Sequence, residues 1–126
     1  MTTDGDDLRA GLTHEATYAV TADMRPPHLD GILSTSRMIS LVEDTCLALV
    51  QPLLAGGQTT VGTRVDVTHV GTAWVGEEVT IRVRLATVRQ RRLLGFEVEV
   101  EAPHGIISRG THQRLVVDRS RFAPPA

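Results

Sequence analysis

Thr35, Glu43 and His69 carry a hydroxyl, a carboxylate and an imidazole. Acyl-transfer and hydrolytic sites are assembled from these groups: an oxygen that attacks, a base that takes its proton, and a carboxylate that orients the base or activates water. Thr35 stands at the start of the one strongly helical stretch, which runs from Ser36 to Gln51, and Glu43 falls within it. His69 closes the strand-like run Gly62–His69. Eight helical residues rise about 12 Å and return to within about 80° of the starting direction. Thr35 and Glu43 therefore share a side but cannot hydrogen-bond each other. Either His69 reaches between them, or the carboxylate acts from another position, another subunit included. On this reading His69 is the general base or acid, and Glu43 orients it or activates water. The nucleophile is the Thr35 hydroxyl or a water. Taken singly, each residue has a plainer role. Thr35 can be a helix N-cap, Glu43 a helix-surface carboxylate beside Asp44, and His69 a structural residue at a strand end.

The other candidates read as structural. His14, His28, His104 and His112 are expected to be surface or structural residues. No His or Cys pair has zinc-site spacing, so no metal is predicted. Cys46 sits in the apolar helix and reads as a small core residue. Arg89, Arg91 and Arg92 form a polar turn that suits either solvent or phosphate.

The elements that position these groups follow from pattern. The chain has 126 residues, 41% hydrophobic and 22% charged, which suits one globular domain over 1–126 with loose tails at 1–10 and 122–126. Residues 12–20 alternate loosely and predict a first strand. Pro26, Pro27 and Gly31 make a loop. Ser34, Thr35 and Ser36 are three successive candidate N-caps. The helix after them places Met38, Leu41, Val42, Thr45, Cys46 and Leu49 on one face and is apolar enough to be buried on most sides. Further strands are predicted over 59–69, 79–88, 94–101 and 106–117, joined by turns at 89–92 and 103–105. The order is strand, loop, helix, then four antiparallel strands: an α+β fold whose helix covers one sheet face. Arg82 and Arg84 should pair with Glu97, Glu99 and Glu101 on the solvent face. Open sheet edges favour pairing across a two-fold, hence a homodimer.

Composition narrows the partners. Net charge is −2, which gives no field for nucleic acid. All 13 basic residues are arginine, so Schiff-base and P-loop lysine chemistry are excluded. No apolar run approaches the roughly 20 residues of a membrane span. An acidic start unlike a signal peptide and a single cysteine point to the cytoplasm.

The ordered set of Thr35, Glu43, Gly62-Thr63, Val67-Thr68-His69 and Gly110-Thr-His-Gln-Arg114 resembles the fluoroacetyl-CoA thioesterase family, over about 13–121. The resemblance implies a hotdog fold, one long central helix wrapped by a five-stranded antiparallel sheet. It implies an acyl-CoA substrate, with coenzyme A as part of the substrate and no separate cofactor, and a dimer with sites at its interface. It assigns Thr35, Glu43 and His69 to catalysis. Gly62 becomes a backbone contact to substrate, and Arg114 a supporting charge. Family members that select a fluorinated acyl group have phenylalanines before the helix. Here the stretch Pro26–Leu33 has no aromatic residue, and Ala73-Trp-Val-Gly76 stands where the family has prolines. The expectation is hydrolysis of a small or medium acyl-CoA without a fluorine preference. A non-catalytic binder of acyl-CoA or another apolar ligand is the alternative. A hotdog hydratase ranks last, because the start of the helix lacks the aspartate and histidine that chemistry uses.

Overall fold

The computed structural model describes residues 7–125. Five strands and one long helix form it: β1 (Thr13–Ala19), α1 (Thr35–Val50), β2 (Gln58–Val67), β3 (Glu78–Arg89), β4 (Leu93–Ala102) and β5 (Gly105–Asp118). All strand pairings are antiparallel, in the order β1-β3-β4-β5-β2. Connectivity explains that order. Short turns make β3, β4 and β5 a meander, and β2 then adds to the far side of β5. The sheet therefore has two edges, β1 and β2. Residues Gly62–Asp66 on β2 are exposed on both faces.

The strands alternate as the pattern demands. On β3, Val79, Ile81, Val83 and Leu85 are buried, and on β4 Leu94, Phe96, Val98 and Val100 are buried opposite them. The intervening charges pair on the outer face: Arg82 with Glu99 at 3.3 Å and Glu101 at 2.7 Å, and Arg84 with Glu97 at 3.0 Å. These exposed pairs fix register more than they stabilise. Between β3 and β4, the Arg92 amide donates to the Arg89 carbonyl. Gln90 and Arg91 carry φ of 53° and 55° there, so two non-glycine residues occupy the left-handed region that a tight hairpin turn requires.

Helix α1 runs without glycine or proline from Thr35 to Val50, and Pro52 stands just past its end. Met38, Leu41, Val42, Thr45, Cys46 and Val50 are buried against the sheet. The opposite side departs from the expected burial on most sides. Ser36, Ser40, Asp44 and Ala48 are exposed, while Ile39, Glu43 and Leu47 are half-buried. A single sheet covers only one side of a helix, and the rest of this one faces outward. Of the expected N-terminal tail, residues 1–6 lie outside the described residues, and Leu8 is buried in the core rather than loose. At the other end, Arg119–Phe122 form a short 3-10 turn. No helix among the described residues is long and apolar enough to cross a membrane.

Candidate active site

Three successive hydroxyl residues compete to cap α1, and the backbone decides between them. Ser34 has ψ of 155°, extended rather than helical, and its side chain accepts from the Arg37 amide at 3.1 Å. Thr35 is therefore the first helical residue, not the cap, and its hydroxyl is left for another partner. That partner is His69: Thr35 Oγ1 lies 2.7 Å from His69 Nδ1.

Two backbone seams hold this pair. The Leu33 amide donates to the Ala73 carbonyl at 2.9 Å, and Ile32 bridges Trp74, which fixes the start of the helix against the β2–β3 loop. On the other side, β2 ends at Val67, two residues before His69, so His69 lies in the loop and not at a strand end as the pattern suggested. The chain nonetheless stays on β5. Thr68 N donates to Arg109 O at 3.0 Å and Val70 N to Ile107 O at 2.8 Å, which pins His69 from both sides. Gly110 permits the close approach, since a Cβ there would strike the Asp66 carbonyl and Val67 Cα.

Glu43 belongs to a second cluster. Its Oε2 lies 3.4 Å from Arg114 NH1, and no hydrogen bond joins it to Thr35 or His69 among the described residues. Arg114 is 6% exposed. Its Nε donates to Thr60 Oγ1 at 2.7 Å and its NH2 to the Thr60 carbonyl at 3.1 Å, and NH1 lies 3.1 Å from His112 Nε2. Arg114 is thus a buried support committed to internal partners, not a surface charge. Gly62 sits against the same cluster: a Cβ on it would lie 2.6 Å from Glu43 Oε2 and 3.3 Å from His112 Cε1. The glycine leaves room for the carboxylate. The structure therefore brings Thr35 to His69, and Glu43 to Gly62 and Arg114. Sequence reasoning set His112 aside as surface or structural. It is buried at 1% exposure and touches the carboxylate cluster. Its position two residues before Arg114 on an alternating strand was the available signal, since residues i and i+2 share a face.

Electrostatics keep both imidazoles neutral. Burial lowers the His69 pKa below its ordinary 6.5, with a backbone contact at Gly71 opposing. Burial also lowers that of His112, opposed by the Arg64 carbonyl and reinforced by the Arg114 charge. At neutral pH His69 is thus a free base. Between the folded and unfolded values the unfolded chain binds more protons than the folded one. The stability these two groups contribute is complete above about pH 6.5 and is lost as pH falls through their folded values. Thermal melts should show Tm falling below about pH 6.5. A Tm that rises on acidification through that window would contradict the burial. Burial pushes the Cys46 thiol up to about 12, which makes it inert.

His69, Val70, Gly71 and Thr72 line an open depression of about 270 Å³. A larger concavity of about 770 Å³ lies on the charged outer sheet face, among Glu15, Arg82, Arg84, Glu97 and Glu99. Those charges are already paired, and the depression beside His69 is the one next to groups able to react. No cluster of metal-binding side chains exists among the described residues. The stretch before the helix has no aromatic of its own, but the exposed Trp74 ring lies over Gly31, about a van der Waals contact from where a Cβ would be.

A family model described as fluoroacetyl-CoA-specific thioesterase matches residues 13–120. The fluoroacetyl-CoA thioesterase of Streptantibioticus cattleyicolor is 33% identical over 93 residues, 72% of this chain. The match spans 65% of that relative's length, just under two thirds. The solved structure of the fluoroacetyl-CoA thioesterase FlK superposes with a TM-score of 0.85 at 26% identity, over 90% of this chain and 91% of that one. A hot-dog-like protein from Thermanaerovibrio acidaminovorans superposes with a TM-score of 0.79 at 21% identity, over 92% and 94% of the two chains. The helix-and-sheet arrangement is the hotdog fold.

Proposed function

The chain belongs to the fluoroacetyl-CoA-specific thioesterase family, and on that premise we propose that it hydrolyses the thioester bond of a small or medium acyl-CoA. The observation that carries this reading is the 2.7 Å contact between Thr35 Oγ1 and His69 Nδ1 at the N-terminal end of α1. The amides of Thr35 and Ser36 precede the first intrahelical bond and point out of the helix end. With the positive end of the helix dipole, they are suited to bind the thioester oxygen as it gains negative charge. His69 takes the proton from the attacking oxygen, that of Thr35 or of a water. The tetrahedral intermediate then expels the coenzyme A sulfur, which recovers the proton from the imidazolium. If Thr35 attacks, an acyl-threonine forms, and water releases it with His69 again as base. Mass spectrometry for acylated Thr35 under single turnover separates the two routes.

Glu43 serves this site across a two-fold. The open β2 edge is the surface through which two chains extend one sheet. In such a homodimer the partner's Glu43, held beside Gly62, orients water or substrate at the Thr35–His69 pair, and Gly62 offers its backbone to the thioester. The reading places the enzyme in the cytoplasm, with coenzyme A as part of the substrate and no other cofactor. It does not extend to a fluorine preference, because Pro26–Leu33 carries no aromatic side chain.

Free-thiol release from a panel of acyl-CoAs tests the activity. Turnover well above that of a Thr35→Ala/His69→Ala double variant is expected. Equal rates would end the proposal, and tight binding without turnover would select the non-catalytic binder instead.

A further inference from the structure

His112 lies outside the Thr35–His69 pair, yet it is the best-buried ionisable ring among the described residues, and every polar atom of it is engaged. Its Nδ1 lies 2.7 Å from the Arg64 carbonyl. A carbonyl only accepts, so Nδ1 carries the proton. In the neutral ring Nε2 is then an acceptor, and it receives Arg114 NH1 at 3.1 Å. The 4.0 Å approach of Nε2 to Glu43 Oε2 is consequently not an ion pair. The hydrogen bonds fix one tautomer and one charge state.

The location gives that state a consequence. The pairing of β2 with β5 slips between Gly62 and Arg64, leaving an extra residue, Thr63, on the edge strand. His112 donates to the carbonyl just past that bulge and accepts from the guanidinium that reaches Glu43. Phe96 lies beside the ring, with centroids 6.3 Å apart and the planes inclined by 28°. We infer that His112 is a positioning residue of the thioesterase site, a neutral imidazole, oriented by the carbonyl just past the Gly62 bulge, whose Nε2 holds Arg114 and so sets the place of the Glu43 carboxylate. This rests on the hydrolytic reading for its catalytic consequence, but not for its geometry. The charged groups facing the ring are Arg114 from β5 and Glu43 from α1. The edge strand presents the Arg64 carbonyl, and β4 presents only Phe96. Protonation would put an N–H against Arg114 NH1, two donors facing each other, and break the tie.

Two replacements separate the two hydrogen bonds. His112→Gln keeps an acceptor at the position of Nε2, and His112→Phe keeps ring volume without any acceptor. The inference expects His112→Gln to hold kcat within about threefold, and His112→Phe to lose about 10–100-fold in kcat with little change in KM, as a displaced catalytic group does. Loss of kcat to the same degree in both variants, in step with Tm, would mean a purely structural ring and overturn it. A second readout works without turnover. The Arg114 Nε–H, bonded to Thr60, should give an exchange-protected NMR signal in the native protein and in His112→Gln, and lose protection in His112→Phe. Protection unchanged in the Phe variant would overturn the inference, even in a protein that hydrolyses no thioester on the panel.

Discussion

Replacing His69 by glutamine should lower kcat for thioester hydrolysis by about 10²–10⁴-fold, the range a positioned general base contributes. The loop that carries residue 69 remains pinned by Thr68 and Val70, so the fold should survive. Thr35→Ala should cost a comparable factor, and the double variant little more than either single one. Groups that act as one unit are not additive. Steady-state thiol release with circular dichroism as the folding control checks this. A His69→Gln enzyme within about threefold of wild type, or two losses that multiply, would show that the 2.7 Å contact is not the reacting pair.

Gly62→Ala should cost about 10²-fold in kcat, the penalty for shifting a working group by about 1 Å. The added methyl carbon would lie 2.6 Å from Glu43 Oε2, closer than two such atoms can sit. The guanidinium beyond the carboxylate is held by Thr60 and His112 and cannot yield. Glu43 must therefore move. A double-mutant cycle gives a sharper test than the rate alone. In a Glu43→Ala background the clash is absent, so Gly62→Ala should cost far less there. Equal costs in both backgrounds would mean that the glycine matters for some other reason, such as the conformation of the bulge.

The elements were legible in the chain because each follows a strong local rule. Alternating Val79–Leu85 and Phe96–Val100 can only be half-buried strands, and α1 has no breaker between Thr35 and Pro52. The Thr35–His69 contact was also foreseen in kind, although His69 lies in a loop. Strand patterning cannot see that β2 stops pairing at Val67 while isolated backbone bonds carry the chain two residues further. The fate of Glu43 was not legible. Its neighbours come from β2 and β5, and their alignment depends on a one-residue slip at Thr63 that no periodicity reveals. His112 shares its face of β5 with Arg114, which alternation does show, but the Arg64 carbonyl that fixes its ring is set opposite it only by the slipped register.

Helix α1 bears the hydroxyl at its first residue and the carboxylate two turns later, with nothing pliable between. On the proposed reading it is thus a measuring rod between two sites of the dimer, the one its hydroxyl joins and the one its carboxylate serves. Deleting one residue from that interval would shorten the rod by about 1.5 Å and swing Glu43 through about 100°, away from Gly62. Length variation in descendants of this chain should therefore be confined to places such as the Arg89–Arg92 turn, while the spacing between residues 35 and 43 stays invariant however much the acyl group changes.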